Sequence, residues 1–152
     1  MLSWRSGQST VEFAFLLLFS LPPLMLVTTD IARAFYMQAE VENAARAGAQ
    51  YGSRSPTTAV DAAGISTYAA NDAANVSGLT VTSSTCTCPP SGSSTVPGGG
   101  TVCPSSYCTD NPEATYVTVN TSATFTTVVP YPGIPNTYTI QGQAIMQVQQ
   151  QQ

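Results

Sequence analysis

A lone carboxylate, Glu12, stands at the mouth of a long apolar run, one helical turn beyond the Gly7-Gln8 pair. An acid at that place is costly in lipid unless something meets it. If the chain is cut after Gly7, the new amine at Gln8 and the carboxylate at Glu12 lie about one helical turn apart. A neighbouring copy could then offer its amine to Glu12, and a dry pair of that kind must form well or be severely penalised. Such a pair enforces axial register between subunits that stack inside a membrane and later leave it. The competing reading is an interfacial acid favoured by the helix dipole.

Cys86, Cys88, Cys103 and Cys108 form the second constellation, in a Pro/Gly/Ser-rich stretch. An even set in a small, loop-rich domain reads as disulfides formed in an oxidising compartment. Cys86 and Cys88 are two apart on a strand end and point the same way, so they do not readily bond each other. A nested pairing, Cys86 with Cys108 and Cys88 with Cys103, would close the loop like a hairpin; the crossed pairing is its competitor. A four-thiolate zinc site is disfavoured, because C-x-C and C-x4-C are not the tight knuckle spacing and no His assists. No metal and no cofactor is expected.

The composition removes other chemistries. Charged residues make up 8% of the chain, against about a quarter in ordinary soluble domains. There is no His and no Lys, and the four basic residues are Arg5, Arg33, Arg46 and Arg54. Without His there is no Ser-His or Cys-His relay and no helix-borne zinc pair. A net charge of −4 with no basic cluster argues against a nucleic-acid surface. Asp110-Asn111-Pro112-Glu113 reads as a turn, and Gly98-Gly99-Gly100 lacks the Lys and helix of a phosphate loop. The chain is expected to be non-enzymatic and to bind no small-molecule substrate.

The elements that must position these groups follow one another in three zones. Gln8 to Gly52 reads as a single helix, apolar first and amphipathic afterwards, with Ile31, Phe35, Val41 and Ala45 on one face. The uncharged stretch from Phe13 to Thr29 would span roughly 25 Å, near the length that crosses a bilayer core. Nothing like a signal-peptidase site follows it closely, which favours a retained membrane helix over a removed signal. Pro22-Pro23 predicts a kink or local unwinding between Leu18 and Pro23. Ala44, Gly48 and Gly52, with Ala45 and Ala49, form small-residue ridges that admit a close neighbour, either a sheet of the same domain or a partner subunit.

Ser55-Pro56 predicts a fresh helix over about Thr57 to Asn75, weakened at Gly64. Strand signals follow at Leu79–Thr82, Thr115–Val128 and Tyr138–Val148. The expected fold class is α+β: a long N-terminal helix, a second helix, and a small antiparallel sheet of three to four strands with a disulfide-stapled loop. The domain boundaries read as leader 1–7, transmembrane helix 8–29, its extracytoplasmic continuation 30–52, and an extracytoplasmic α+β domain 53–152. Arginines flank the apolar run on both sides, so orientation rests on the cysteines, which place the C-terminal domain outside the cytoplasm.

The residues that carry a resemblance are Arg5 and Gly7, Glu12-Phe13, the Leu-rich run with its prolines, and Asp30-Ile31-Ala32-Arg33-Ala34-Phe35-Tyr36. Asn43-Ala44-Ala45-Arg46-Ala47-Gly48-Ala49-Gln50-Tyr51 continues it. Together they resemble the TadE-like family of tight-adherence (Flp/Tad type IV) pilus assembly proteins. The resemblance implies cleavage by a prepilin peptidase between Gly7 and Gln8, with Glu12 and Phe13 setting subunit register. It implies a minor, pseudopilin-like subunit in the bacterial inner membrane, partnered by other pilins and the pilus assembly platform. A membrane-anchored adhesin or ligand-binding module is the alternative.

Overall fold

The computed structural model describes residues 8–97, 99–109, 112–130 and 133–149. Its first element, α1, runs unbroken from Gln8 to Gly52. Every residue from Ser9 to Thr29 is exposed, and Asp30 is the first buried one. The helix continues through Pro22 and Pro23, so the unwinding expected between Leu18 and Pro23 does not occur. A proline's fixed φ is itself helical, so the pair withdraws two N–H donors without forcing the chain out of the helix.

The remaining elements form a head around the last third of α1. They are α2 (Pro56–Ala59), α3 (Ala62–Asp72), β1 (Thr80–Thr87), a 3-10 turn at Ser105–Tyr107, β2 (Thr115–Thr126) and β3 (Thr137–Gln147). Ser55 caps α2 through a capping box with Thr58, with Pro56 at the first helical position as the sequence predicts. The single helix expected over Thr57 to Asn75 is instead two. Asp61 accepts a hydrogen bond from the Gly64 N–H at 2.9 Å and so starts a second helix. A carboxylate that satisfies an open helix N-terminus competes with continuing the preceding turn.

The sheet is antiparallel in the order β1-β2-β3. Along β2, Val117, Val119, Thr121, Ala123 and Phe125 are buried while the intervening residues are not, the period of a strand with one covered face. The helices cover that face; the other carries Thr, Asn and Gln, with Gln143 donating to Asn120 at 2.7 Å across strands. The core joins Ala45, Ala49, Ile65, Val117, Val119 and Val148. The architecture is therefore the expected α+β one, with three strands.

Small residues let α1 lie close on this sheet. A Cβ at Gly48 would meet Ile65 and Val119 at 3.2 Å, and one at Gly52 would meet Val117 at 3.1 Å. Thr121, 2% exposed, donates its hydroxyl to the Val41 carbonyl at 2.7 Å and ties sheet to helix. The amphipathic face differs from expectation at its start. Ile31 and Phe35 are 50% and 71% exposed, and the buried stripe is Val41, Ala44, Ala45, Gly48, Ala49 and Gly52.

All four cysteines are in disulfides, but the pairing is crossed: Cys86 with Cys103 and Cys88 with Cys108. The nested expectation fails because the chain does not return as a hairpin. Residues 101–103 come back parallel to the end of β1. Thr87 N–H donates to the Thr101 carbonyl, and Cys103 N–H donates to that of Thr87. Cys88 N–H donates to the Ala114 carbonyl at 2.8 Å, which sets it beside the segment leading from Cys108 into β2. Closing loops of this length contributes roughly 2–4 kcal/mol per bridge in a region with no core of its own.

Candidate functional site

The residues of interest fall along α1 in three groups. Toward its N-terminal side, Gly7 lies outside the described residues, and Gln8 is the first described residue of the helix. Glu12 and Phe13 are both exposed, one turn in from that end. They share a surface with Phe15, Leu16, Leu18 and Phe19, each more than half exposed. This half of α1 is long and apolar enough to cross a membrane, by length and composition.

The middle group is the junction at Asp30, a residue that sequence reasoning quoted without giving it a role. Asp30 is 5% exposed. Its two carboxylate oxygens accept the Val128 N–H at 3.0 and 3.1 Å, and Oδ1 also accepts from the Arg33 guanidinium at 3.2 Å. Arg33 in turn sits over the Phe125 ring at 5.5 Å, a cation–π distance. A charged acceptor for a backbone N–H at the end of β2 fixes the β2–β3 connection against the helix. The signal was legible: a lone acid at the border of an uncharged run, with an Arg three residues on, has to find partners when the helix enters a domain.

The third group is the ridge of Ala44, Ala45, Gly48, Ala49 and Gly52. The structure brings it onto the sheet and α3 of the same head. Of the two neighbours left open by the sequence, it is therefore the domain's own sheet that the ridge meets.

Past the ridge, Tyr51 stacks on Tyr68 with ring centroids 4.4 Å apart, and Arg54 lies 5.6 and 5.4 Å from the two rings. The Tyr51 hydroxyl donates to Asp61 at 2.8 Å. A Cβ at Gly64 would collide with Asp61 and Tyr51, so this glycine weakens α3 in order to admit the pair. The Gly64 N–H and then the Tyr51 hydroxyl hold the Asp61 carboxyl below its ordinary 3.8. The bond to Asp61 pushes the Tyr51 hydroxyl above its ordinary 10.0. A depressed acid contributes stability that is present above 3.8 and lost as pH falls through its folded value. A raised phenol contributes stability that is present below 10.0 and lost as pH rises through its folded value. Asp61→Asn and the unsubstituted protein should therefore unfold alike in strong acid, separate as pH rises through the folded carboxyl's value, and differ fully above pH 3.8, checked by thermal melts across pH.

This is the build of a stalk and head: an exposed apolar half-helix continuous with one that is buried in its own α+β domain. Residues 7–50 match the family model described as TadE-like protein, which bears out the resemblance over α1. The match implies involvement in Tad pilus assembly, and it stops short of the sheet. No curated protein and no solved structure matches the chain.

Proposed function

We propose that the chain is a structural, non-enzymatic minor pilin-like subunit acting in assembly or initiation of a Tad/Flp-type pilus. In this reading residues 1–7 are a leader removed by a prepilin peptidase, 8–29 cross the bacterial inner membrane, and 30–52 continue the helix outside. Residues 53–152 complete a periplasmic head. The observation that carries it is the switch along α1: exposed from Ser9 to Thr29, then increasingly buried in the head from Asp30 onward. A helix with an apolar outer half needs lipid before assembly and other helices after it, which is the condition of a pilin. Two disulfides suit a head in an oxidising compartment.

The ridge at Ala44 to Gly52 is already covered, so contact with other pilins and the assembly platform falls to residues 9–29. Glu12 lies on that exposed half, where a mature neighbour's amine could reach it. Glu12→Ala should leave membrane insertion intact and abolish recruitment into pili, read by cell fractionation and by immunoblotting of sheared pili. Ordinary recruitment of the variant would remove the register role.

A further inference from the structure

The end of the sheet held by Asp30 has a second apolar surface. The connection from Thr127 to Thr137 contains no charged residue in its sequence. In it Val128 is 61% and Ile134 51% exposed, and Tyr138 beyond it is 41% exposed. Thr127 N–H donates to the Asn136 carbonyl at 2.9 Å, which closes the base of the connection. Between this tip and α1 lies a cleft of about 410 Å³. Val27, Ile31 and Ala34 line it from the helix on either side of the buried, hydrogen-bonded Asp30, and Ile134, Tyr138 and Ile140 line it from the hairpin.

Its height on the molecule identifies what covers it. Asp30 grips the Val128 N–H directly after the uncharged stretch ending at Thr29, so the tip stands level with the end of the apolar half-helix. Val27 belongs to that stretch, and it lines the cleft together with Ile134. The apolar surface of the half-helix therefore runs through Val27 into the cleft. The disulfide loop lies at the other end of the sheet, since β2 begins at Thr115 beside it and extends twelve residues, or roughly 40 Å. Tyrosine and aliphatic side chains without charge are the composition of an interfacial membrane contact.

We propose that the β2–β3 tip is a second membrane contact, with Val128, Ile134 and Tyr138 seated at the headgroup–acyl boundary and a lipid acyl chain in the cleft. The contact fixes the tilt of the head on the bilayer before assembly. It rests on the reading that residues 8–29 span lipid.

The test uses the full chain with Trp4→Phe, reconstituted into phosphatidylcholine vesicles with or without brominated acyl chains. Single tryptophans are placed by Ile134→Trp or Tyr138→Trp at the tip, Ser94→Trp in the exposed disulfide loop, and Leu18→Trp in the helix. Brominated lipid should quench both tip tryptophans severalfold, at every protein-to-lipid ratio, and leave Ser94→Trp unchanged. Acrylamide should show the reverse order. Tip tryptophans as open to acrylamide as Ser94→Trp overturn the proposal. Protection that disappears on dilution into excess lipid also overturns it, because the occupant is then a second copy. Quenching at Leu18→Trp without quenching at the tip rejects this contact alone; no quenching at Leu18→Trp rejects the membrane span and the contact together.

Discussion

Gly142→Ala should cost about 3 kcal/mol and lower the melting temperature by about 10 °C in detergent. Strand propensity alone points the other way, since glycine in a strand interior is weaker than alanine. The site decides. A Cβ at Gly142 would stand 2.7 Å from the Val41 carbonyl oxygen and 2.8 Å from the Thr121 hydroxyl. Those two atoms are themselves bonded at 2.7 Å, so neither can withdraw without breaking the tie between helix and sheet. Gly142 also pairs with Thr121 across β2 and β3, which fixes it in register under the helix. The added methyl must therefore push α1 off the sheet, opening the contacts of Ala45 and Ala49. A melting temperature equal to or above that of the unsubstituted protein would show that the helix does not lie this close.

Asp30→Ala should cost about 2–3 kcal/mol, because the Val128 N–H is left without its charged acceptor in a partly buried place. Asp30→Asn keeps one carbonyl oxygen there and should lose less. Hydrogen exchange gives the specific readout. The Val128 amide should exchange many-fold faster in Asp30→Ala, while amides in the middle of β2 change only with global stability. Unchanged exchange at Val128 would mean that the connection is held by other contacts.

The sequence was most legible where one physical rule acted alone. Lipid-length apolarity followed by small residues gave an unbroken α1 that stops at Gly52. Strict alternation from Thr115 onward gave β2 and its buried face. It was least legible where two local options competed. Asp61 could continue a helix or cap a new one; it caps through the Gly64 N–H, and its other oxygen accepts from Tyr51, a residue ten positions earlier that meets it only in the fold. The cysteine pairing turned on whether residues 101–103 return parallel or antiparallel, which no spacing encodes. Ile31 and Phe35 kept helical periodicity with the core yet stand outside it at 50% and 71% exposure, and Ile31 lines the cleft beside the β2–β3 connection instead. Asp30 was visible as an oddly placed charge, and its partner was not, since a backbone N–H ninety-eight residues away leaves no mark in composition.

Gly7, Glu12 and the exposed half of α1 meet in the proposal that the mature subunit begins at Gln8 and enters a pilus by its helix. Intact mass analysis of the protein purified from membranes of cells that contain the peptidase tests this most directly. The expected species is the chain from Gln8 to Gln152 with two disulfides, absent its first seven residues. A mass that retains Met1 through Gly7 in those cells would contradict it.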